Sequence, residues 1–337
     1  MLCNIMNLNL KYKRKEEKMK KFFKILIIVI LIILIIGIAA VAIFLKSKLN
    51  KINYENVTKE DIEVNEGVEE LLTGYTNIAL LGLDARDNTF ENSRSDCIMI
   101  ISINNETKDV KIASVYRDTY LQIDGIGLDK VTHAYAYGKA PLSLSTINTN
   151  LDLDITEYVT INFESVISIV DAIGGVQIEL TKAEATQVPG ISGAGTYNLT
   201  GKQALAYGRI RKIDNDYVRT ERMRTVLIKV FEKAKTLPLA QLNTLIDKML
   251  PEVSTNIPQK EILTYASKIN QYNVVDNFGW PYEVRGYTGA AWYAAPVTLE
   301  VNVRKLHESL FENEEYEVSE KVKEISNKII NKTGYRN

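Results

Sequence analysis

The sequence predicts an α/β or α+β sandwich, with helices packed on a β-sheet, preceded by one N-terminal transmembrane helix. Three observations predict it. An uncharged apolar run lies near the start, and short β-rich runs alternate with amphipathic helical patterns further on. The chain also has 337 residues, enough for a substantial core in one large domain or two smaller ones.

The apolar run, Ile25 to Leu45 (ILIIVILIILIIGIAAVAIFL), contains no charged residue. At about 1.5 Å per helical residue it covers roughly 30 Å, the thickness of a bilayer hydrocarbon core. Residues 1–24 hold eight Lys or Arg against two Glu. A basic flank stays in the cytoplasm, which places everything after the run outside. The alternative is a cleaved signal peptide, for which Ala40-Val41-Ala42 supplies a small-residue pattern. Apolar Ile43-Phe44-Leu45 follows directly and the run exceeds a usual signal-peptide core, so an uncleaved anchor at 25–45 is expected. No cysteine follows to accept a lipid, and Met19 opens a complete leader of its own.

Overall the chain is close to neutral, with 41 basic and 42 acidic residues. Beyond Leu45 there are 33 basic against 40 acidic residues, an acidic balance that excludes a non-specific nucleic-acid binder. Of the two cysteines, Cys3 precedes the anchor and only Cys97 follows it, so no internal disulfide is available outside.

Residues 46–74 are polar, without a sustained helical stripe, and read as a stalk. The runs NIALLGLD (77–84), CIMIISIN (97–104) and VKIASVY (110–116) read as strands, with a hairpin at NNETKD between the last two. In NFESVISIVDAIGGVQIEL, Asn162 caps a helix whose apolar face runs through Val166, Ile169 and Val170. Gly174-Gly175 stops it before the strand VQIEL. Thr200 and Gln203 form a capping box opening the helix QALAYG, and TERMRTVLIKVFEKAK is an amphipathic helix. The remainder to about Phe311 continues one domain, 75–312. Residues 313–337 form a charged tail, expected as an exposed helix.

No G-x-S-x-G elbow, phosphate loop or dinucleotide fingerprint is present. Two histidines, His133 and His307, supply a metal site or a Ser-His-Asp triad poorly, and His133 is expected in a local hydrogen bond. What remains is oxygen and guanidinium. Asp84 and Asp96 flank one loop, and on neighbouring strands both carboxylates meet at one rim. One or two carboxylates plus phosphates hold Mg²⁺, although Asp at a loop edge is also ordinary turn chemistry. The stretch YGRIRKIDNDYVRTERMR (207–224) holds five arginines. Arg209 and Arg211 share a face if extended, and Arg219 and Arg222 share a face near a helix start. Arg94 and Arg117 lie close to strand ends. Arginine is the residue for bidentate phosphate recognition. A surface network with Asp214, Asp216 and Glu221 is the competing reading.

The motifs NIALLGLDAR, SRSDCIMIISIN, KIASVYRDTY and GKQALAYGRIRK…DYVRTER resemble, in order and spacing, those of the LytR-CpsA-Psr family of bacterial cell-envelope proteins. The resemblance covers about Thr76 to Phe311. It implies a central mixed β-sheet sandwiched by helices (α/β/α) around a hydrophobic pocket for a polyprenyl (pyro)phosphate lipid. The implied activity is Mg²⁺-assisted (Mn²⁺ is also suitable) transfer of a glycopolymer such as teichoic acid or capsule from that carrier to peptidoglycan, through a phosphodiester. It implies a single-pass protein of a Gram-positive-type cell membrane, its domain outside and no nucleic-acid partner. Residue by residue, Asp84 and Asp96 match metal-associated aspartates, and Arg94 and Arg117 match arginines near the scissile phosphates. Arg117, Arg209, Arg211 and Arg219 match those on the pyrophosphate, with Arg222 in the same motif. The sequence departs where the family usually has Pro (Tyr116), Gly (Val218) and Gln (Met223). Rival functions are a polyprenyl-pyrophosphate hydrolase, and a non-catalytic lipid-binding protein or transcriptional attenuator.

Overall fold

A computed structural model describes residues 53–85, 93–238 and 253–336. The apolar run at 25–45, the basic segment before it and most of the loop between Asp84 and Asp96 lie outside the described residues. No helix among the described residues is long and apolar enough to cross a membrane.

In chain order the strands are β1 Asn53–Tyr54, β2 Tyr75–Leu83, β3 Ser95–Asn104, β4 Asp109–Val115, β5 Tyr120–Ile123, β6 Gly127–Lys130, β7 Glu157–Asn162, β8 Val176–Leu180, β9 Gly195–Leu199, β10 Val253–Thr255, β11 Asn273–Trp280, β12 Val284–Thr288 and β13 Trp292–Pro296. The main helices are α1 His133–Leu151, α2 Phe163–Ala172, α3 Gly201–Gly208, α4 Asp216–Lys235, α5 Gln259–Ser267, α6 Leu299–Phe311 and α7 Glu320–Thr333.

Among the described residues the central sheet is mixed, in the order β1-β10-β7-β2-β3-β4-β11. β3 runs antiparallel to both of its neighbours, β2 and β4, whereas β7 lies parallel to β2 and β11 parallel to β4. The apolar runs of β2 and β3 lack polar alternation because helices cover both faces of the sheet. Ala79, Leu81 and Leu83 of β2 enter one core with Leu144 and Ile147 of α1, Leu306 of α6 and Ile325 of α7. Ile78 and Leu80 face the other way, towards Leu227 and Phe231 of α4 and Ile262 of α5. A third cluster joins α2, α3 and part of α4 to the hairpin β8–β9. The expected sheet sandwiched by helices is thus the observed one.

Two boundaries differ from expectation. Residues from Asn53 to Thr73, read as stalk, belong to the fold: β1 pairs with β10, and Ile62, Val68 and Leu72 are buried. Their apolar side chains are too sparse to make a stripe. Polar anchoring does the rest, as where the Asn65 amide donates to the Asp152 carboxylate at 2.6 Å. The charged tail is also packed rather than exposed. Val322, Ile325 and Ile329 of α7 are buried on the core, and Asp152 accepts from the Tyr316 hydroxyl and the Ser319 amide, both at 2.8 Å.

His133 accepts the expected local role, its Nδ1 lying 2.9 Å from the Asp129 carboxylate. His307 is enclosed, stacked on Tyr316 with ring centres 3.7 Å apart, its Nε2–H donating to the Leu151 carbonyl at 3.0 Å. Burial pushes its pKa down to about 4. The unfolded chain therefore takes up this proton near pH 6.5 and the folded one only near 4, so stability is lost as pH falls through that window, by up to roughly 3 kcal/mol. Urea unfolding at pH 7, 5.5 and 4 is expected to show a shallower loss of stability in His307→Gln than in the parent. Equal slopes would contradict this.

Candidate functional site

The site begins where β2 ends and β3 starts. The two strands are antiparallel, with a register shift after Gly82, so both termini reach the same rim. The amides of Asp84 and Asp96 each donate to the carbonyl oxygen of Arg94 at 3.1 Å. The two aspartates expected to share a rim therefore flank one carbonyl. Asp84 and Arg94 are exposed, and Asp96 is half-buried.

The second component comes from the α3–α4 connection. Thr200 caps α3 with the expected capping box, and the Gly201 amide donates to Asp171 at 2.7 Å. A Cβ at Gly201 would lie 2.3 Å from the Ile167 carbonyl oxygen, so only glycine lets α3 sit this close to α2. The helix stops at Gly208, and the next residues carry Arg209 and Arg211. Asn215 then caps α4 by accepting from the Tyr217 and Val218 amides. That places Asp216 and Arg219 in the first turn, and α4 starts earlier than the amphipathic stripe alone indicates.

The two components meet at Arg117, which follows β4. Its Nη1 donates to Asp96 Oδ2 at 2.6 Å, and Arg211 Nη2 lies 3.9 Å from the same oxygen. Asp216 sits between two guanidinium groups, 3.3 Å from Arg117 Nε and 2.9 Å from Arg219 Nη2. Arg117 Nε is buried and makes no hydrogen bond with the described residues. Burial works against the Arg117 charge, but Asp96, Asp216 and Asp118 outweigh it and raise its pKa. Arg219 shifts down: burial weighs most, Asp216 opposes it, and Arg117 and Arg211 add repulsion. Arg209 lies flat over the Phe163 ring, 4.3 Å from its centre. Positive charge thus exceeds negative charge around one small opening, the condition for binding an anion.

Asp96, Arg209, Arg211 and Arg219 line a small cavity of about 20 Å³. Gly82, Cys97, Phe163 and Met223 are shared with an apolar cavity of about 70 Å³ behind it. Leu227 in turn is shared with a third cavity of about 410 Å³, walled by the outer face of the sheet, α4 and α5. Val166 and Ile169 of α2 line the second of these. The apolar face expected of that helix thus serves both as core packing and as a cavity wall. Met223 stands at the neck, its Sδ against Gly208. Burial raises the Cys97 thiol to about 12, so it is an inert part of the wall.

For a divalent cation, Asp84 and Asp96 are the donors at this rim. Asp96 Oδ2 is taken by Arg117, which leaves Oδ1, 3.5 Å from the Thr132 hydroxyl. Among the described residues no three His, Cys, Asp or Glu side chains gather closely enough to hold a metal by themselves. Two carboxylates completed by ligand phosphates and water suit Mg²⁺, so the donor set fits.

One expected member is placed elsewhere. Arg222 does not line the arginine cavity. Its Nε donates to Glu184 at 2.7 Å and its Nη1 to Asp214 at 3.1 Å. The competing network reading therefore describes Arg222 with Asp214 and also Arg219 with Asp216, while Arg209, Arg211 and Arg219 line the cavity. Sequence reasoning missed Phe163 as the platform under Arg209 and Glu184 as the partner of Arg222. It also saw Asp216 only as an ion-pair partner, not as a bridge between two arginines. Breaking the buried Arg222 pair is expected to cost about 3 kcal/mol in Arg222→Ala. Exposed Arg211→Ala should stay within about 0.5 kcal/mol of the parent. Urea midpoints compare the two directly, and equal losses would refute the assignment.

The chain matches the model of the LytR_cpsA_psr family over residues 40–308. It is 30% identical over 224 residues to the polyisoprenyl-teichoic acid–peptidoglycan teichoic acid transferase TagT of Bacillus subtilis, covering 62% of this chain and 70% of that one. It is 34% identical over 213 residues to the corresponding TagU of Bacillus cereus, covering 62% and 69%. The fold is similar to the crystal structure of B. subtilis TagT, with a TM-score of 0.59 and 25% identity over 76% of this chain and 98% of that one. It is also similar to TagT with bound octaprenyl pyrophosphate lipid, with a TM-score of 0.54 and 21% identity over 83% and 97%. An arginine-rimmed site backed by an apolar cavity on this sheet, with a family match spanning most of the sequence, places the chain in the LytR-CpsA-Psr family.

Proposed function

We propose that the protein is a membrane-anchored phosphotransferase outside the cell, moving a glycopolymer from a polyprenyl-pyrophosphate carrier onto peptidoglycan. One observation carries the reading: an opening rimmed by Arg209, Arg211 and Arg219 shares walls with an apolar cavity, and that cavity with a larger one, a series that in this reading forms a lipid tunnel. An anionic head on a long apolar chain fits both parts, and the relatives TagT and TagU are named for this transfer. Teichoic acid is the nearest polymer class by those names. The apolar run at 25–45 supports the anchor, and the basic residues before it support a cytoplasmic N-terminus.

In this reading Arg209, Arg211 and Arg219 neutralise the pyrophosphate, and Arg117, held on Asp96 and Asp216, adds positive charge beside it. The tunnel removes the prenyl chain from water. An acceptor hydroxyl attacks the phosphorus that carries the glycopolymer, and its proton passes to solvent. The bond from that phosphorus to the bridging oxygen breaks, and polyprenyl phosphate leaves with the bridging oxygen. Mg²⁺ held on Asp84 and Asp96 would supply further charge neutralisation at the phosphates. Arg117 and Arg219 oppose the negative charge that grows on the departing phosphate, the main electrostatic demand of such a step. Asp216, held between them, keeps both guanidinium groups oriented before substrate arrives.

The test uses the full chain in detergent micelles with Mg²⁺, a polyprenyl-pyrophosphate-linked oligosaccharide and peptidoglycan fragments, with products weighed by mass spectrometry. A phosphate-bridged conjugate is expected, reduced roughly 10²–10³-fold in Arg117→Ala. Cleaved carrier without conjugate would instead show a hydrolase. Chelation with EDTA is expected to suppress turnover and added Mg²⁺ to restore it. Undiminished turnover after chelation would remove the metal from the scheme.

A further inference from the structure

On the opposite side of the sheet from the tunnel, the hairpins β5–β6 and β12–β13 meet at three tyrosines. The Tyr120 and Tyr293 rings lie 4.5 Å apart, Tyr120 and Tyr287 5.6 Å, and Tyr287 and Tyr293 6.1 Å. All three pack into the core that holds α1 and α6, not the one that faces the tunnel. They floor an open depression of about 420 Å³ with Leu128, rimmed by Ala290 and Lys332. This volume lies within the roughly 300–1,000 Å³ of ordinary ligand pockets. None of the three hydroxyls makes a hydrogen bond with the described residues, although Tyr120 is only 4% exposed and Tyr293 9%.

The depression is linked to the arginine site by a short relay. Arg117 Nε lies 3.6 Å from Asp118, Lys130 Nζ contacts the other Asp118 oxygen at 2.7 Å, and the same Nζ stands 5.9 Å from the centre of the Tyr293 ring. From these observations we infer a saccharide-binding subsite at Tyr120, Tyr287 and Tyr293 that holds the acceptor glycan. The inference rests on the transferase reading for its direction. In-line displacement at phosphorus brings the nucleophile in opposite the leaving group. The leaving group departs towards the tunnel, so the acceptor approaches from the other side of the sheet, where the tyrosines are. Their chemistry fits a sugar. The half-buried Tyr287 ring offers its open part to the apolar face of a pyranose, and the unbonded hydroxyls of the three tyrosines can exchange hydrogen bonds with the sugar's own. Lys332 at the rim adds positive charge for the carboxylate of a muramyl residue.

Trp292, exposed on β13 with its indole against Gly286, is a native reporter beside the depression, whereas Trp280 is fully buried. The full chain in detergent micelles would be titrated with a tetrasaccharide of alternating N-acetylglucosamine and N-acetylmuramic acid, following tryptophan fluorescence without any lipid donor. Saturable binding is expected, weakened about tenfold in Tyr287→Phe/Tyr293→Phe by the loss of two hydroxyl hydrogen bonds. The exposed rim substitution Ala290→Trp should obstruct the depression without touching the core. In the transfer assay both variants should raise the KM for acceptor and leave that for the lipid-linked donor unchanged. Absent binding, or affinity indifferent to both variants, overturns the subsite, as does tighter binding of the donor's own linkage sugars. Tyrosine-dependent saccharide binding in a chain that performs no transfer keeps the subsite and removes the transferase. Transfer with an unaltered acceptor KM does the reverse.

Discussion

Three guanidinium groups buried within two turns of one helix are the constraint around which this half of the molecule is arranged. Arg219, Arg222 and Arg224 on α4 are each no more than 6% exposed. A buried charge costs several kcal/mol unless it is paired or well hydrogen-bonded, so each has a built environment. Arg219 has Asp216 and the arginine cavity. Arg222 has Glu184 and Asp214, which tie α4 to the short helical turn at Lys182–Ala185. Arg224 has neutral oxygens only, Asn277 Oδ1 at 2.8 Å and Ser114 Oγ at 3.0 Å, which bind α4 to β11 and β4. Three partners in three directions fix the rotation of α4 about its axis. With that rotation fixed, Met223, Leu227 and Phe231 face the sheet and become the tunnel wall.

The sheet in turn separates two kinds of chemistry. Its strand ends carry the charged groups, Asp84 and Asp96 from β2–β3 and Arg117 after β4. One face carries the apolar tunnel, and the opposite face carries the main core. Because the charged rim lies at the ends rather than on a face, the guanidinium groups do not intrude into the tunnel. The change from charge to hydrocarbon is completed over Phe163, which supports Arg209 on one side and lines the apolar cavity on the other.

Much of this was legible in the sequence for physical reasons that can be named. The strands at 75–83, 95–104 and 109–115 announced themselves by long β-rich runs, and α2 and α3 by side-chain caps at Asn162 and Thr200. Arg117, Arg211 and Arg219 stood out because guanidinium groups in an acidic chain require an anion. What stayed hidden was non-periodic. Helix α1 carries Gly138 and Pro141 at a kink, and its buried face includes Ser143, Thr146, Asn148 and Asn150. Those side chains are satisfied by backbone oxygens, as where the Asn148 amide donates to the Ile155 carbonyl at 2.9 Å, so no apolar stripe marked the helix. The separation of Arg222 from Arg219 was equally invisible. Its cause, Glu184, lies 38 residues away and meets it only in three dimensions.

The alternation of β2 has a consequence for how such a protein diversifies. Ile78, Leu80 and Gly82 border the cavities, while Ala79 and Leu81 enter the opposite core and Leu83, at the strand end, touches both. Successive side chains of one strand thus answer to two separate selections, one set by what occupies the cavities and the other by folding. Substitutions at the odd and even positions can drift independently. A lineage could reshape the cavities by altering every second residue, with the neighbouring layer inherited unchanged.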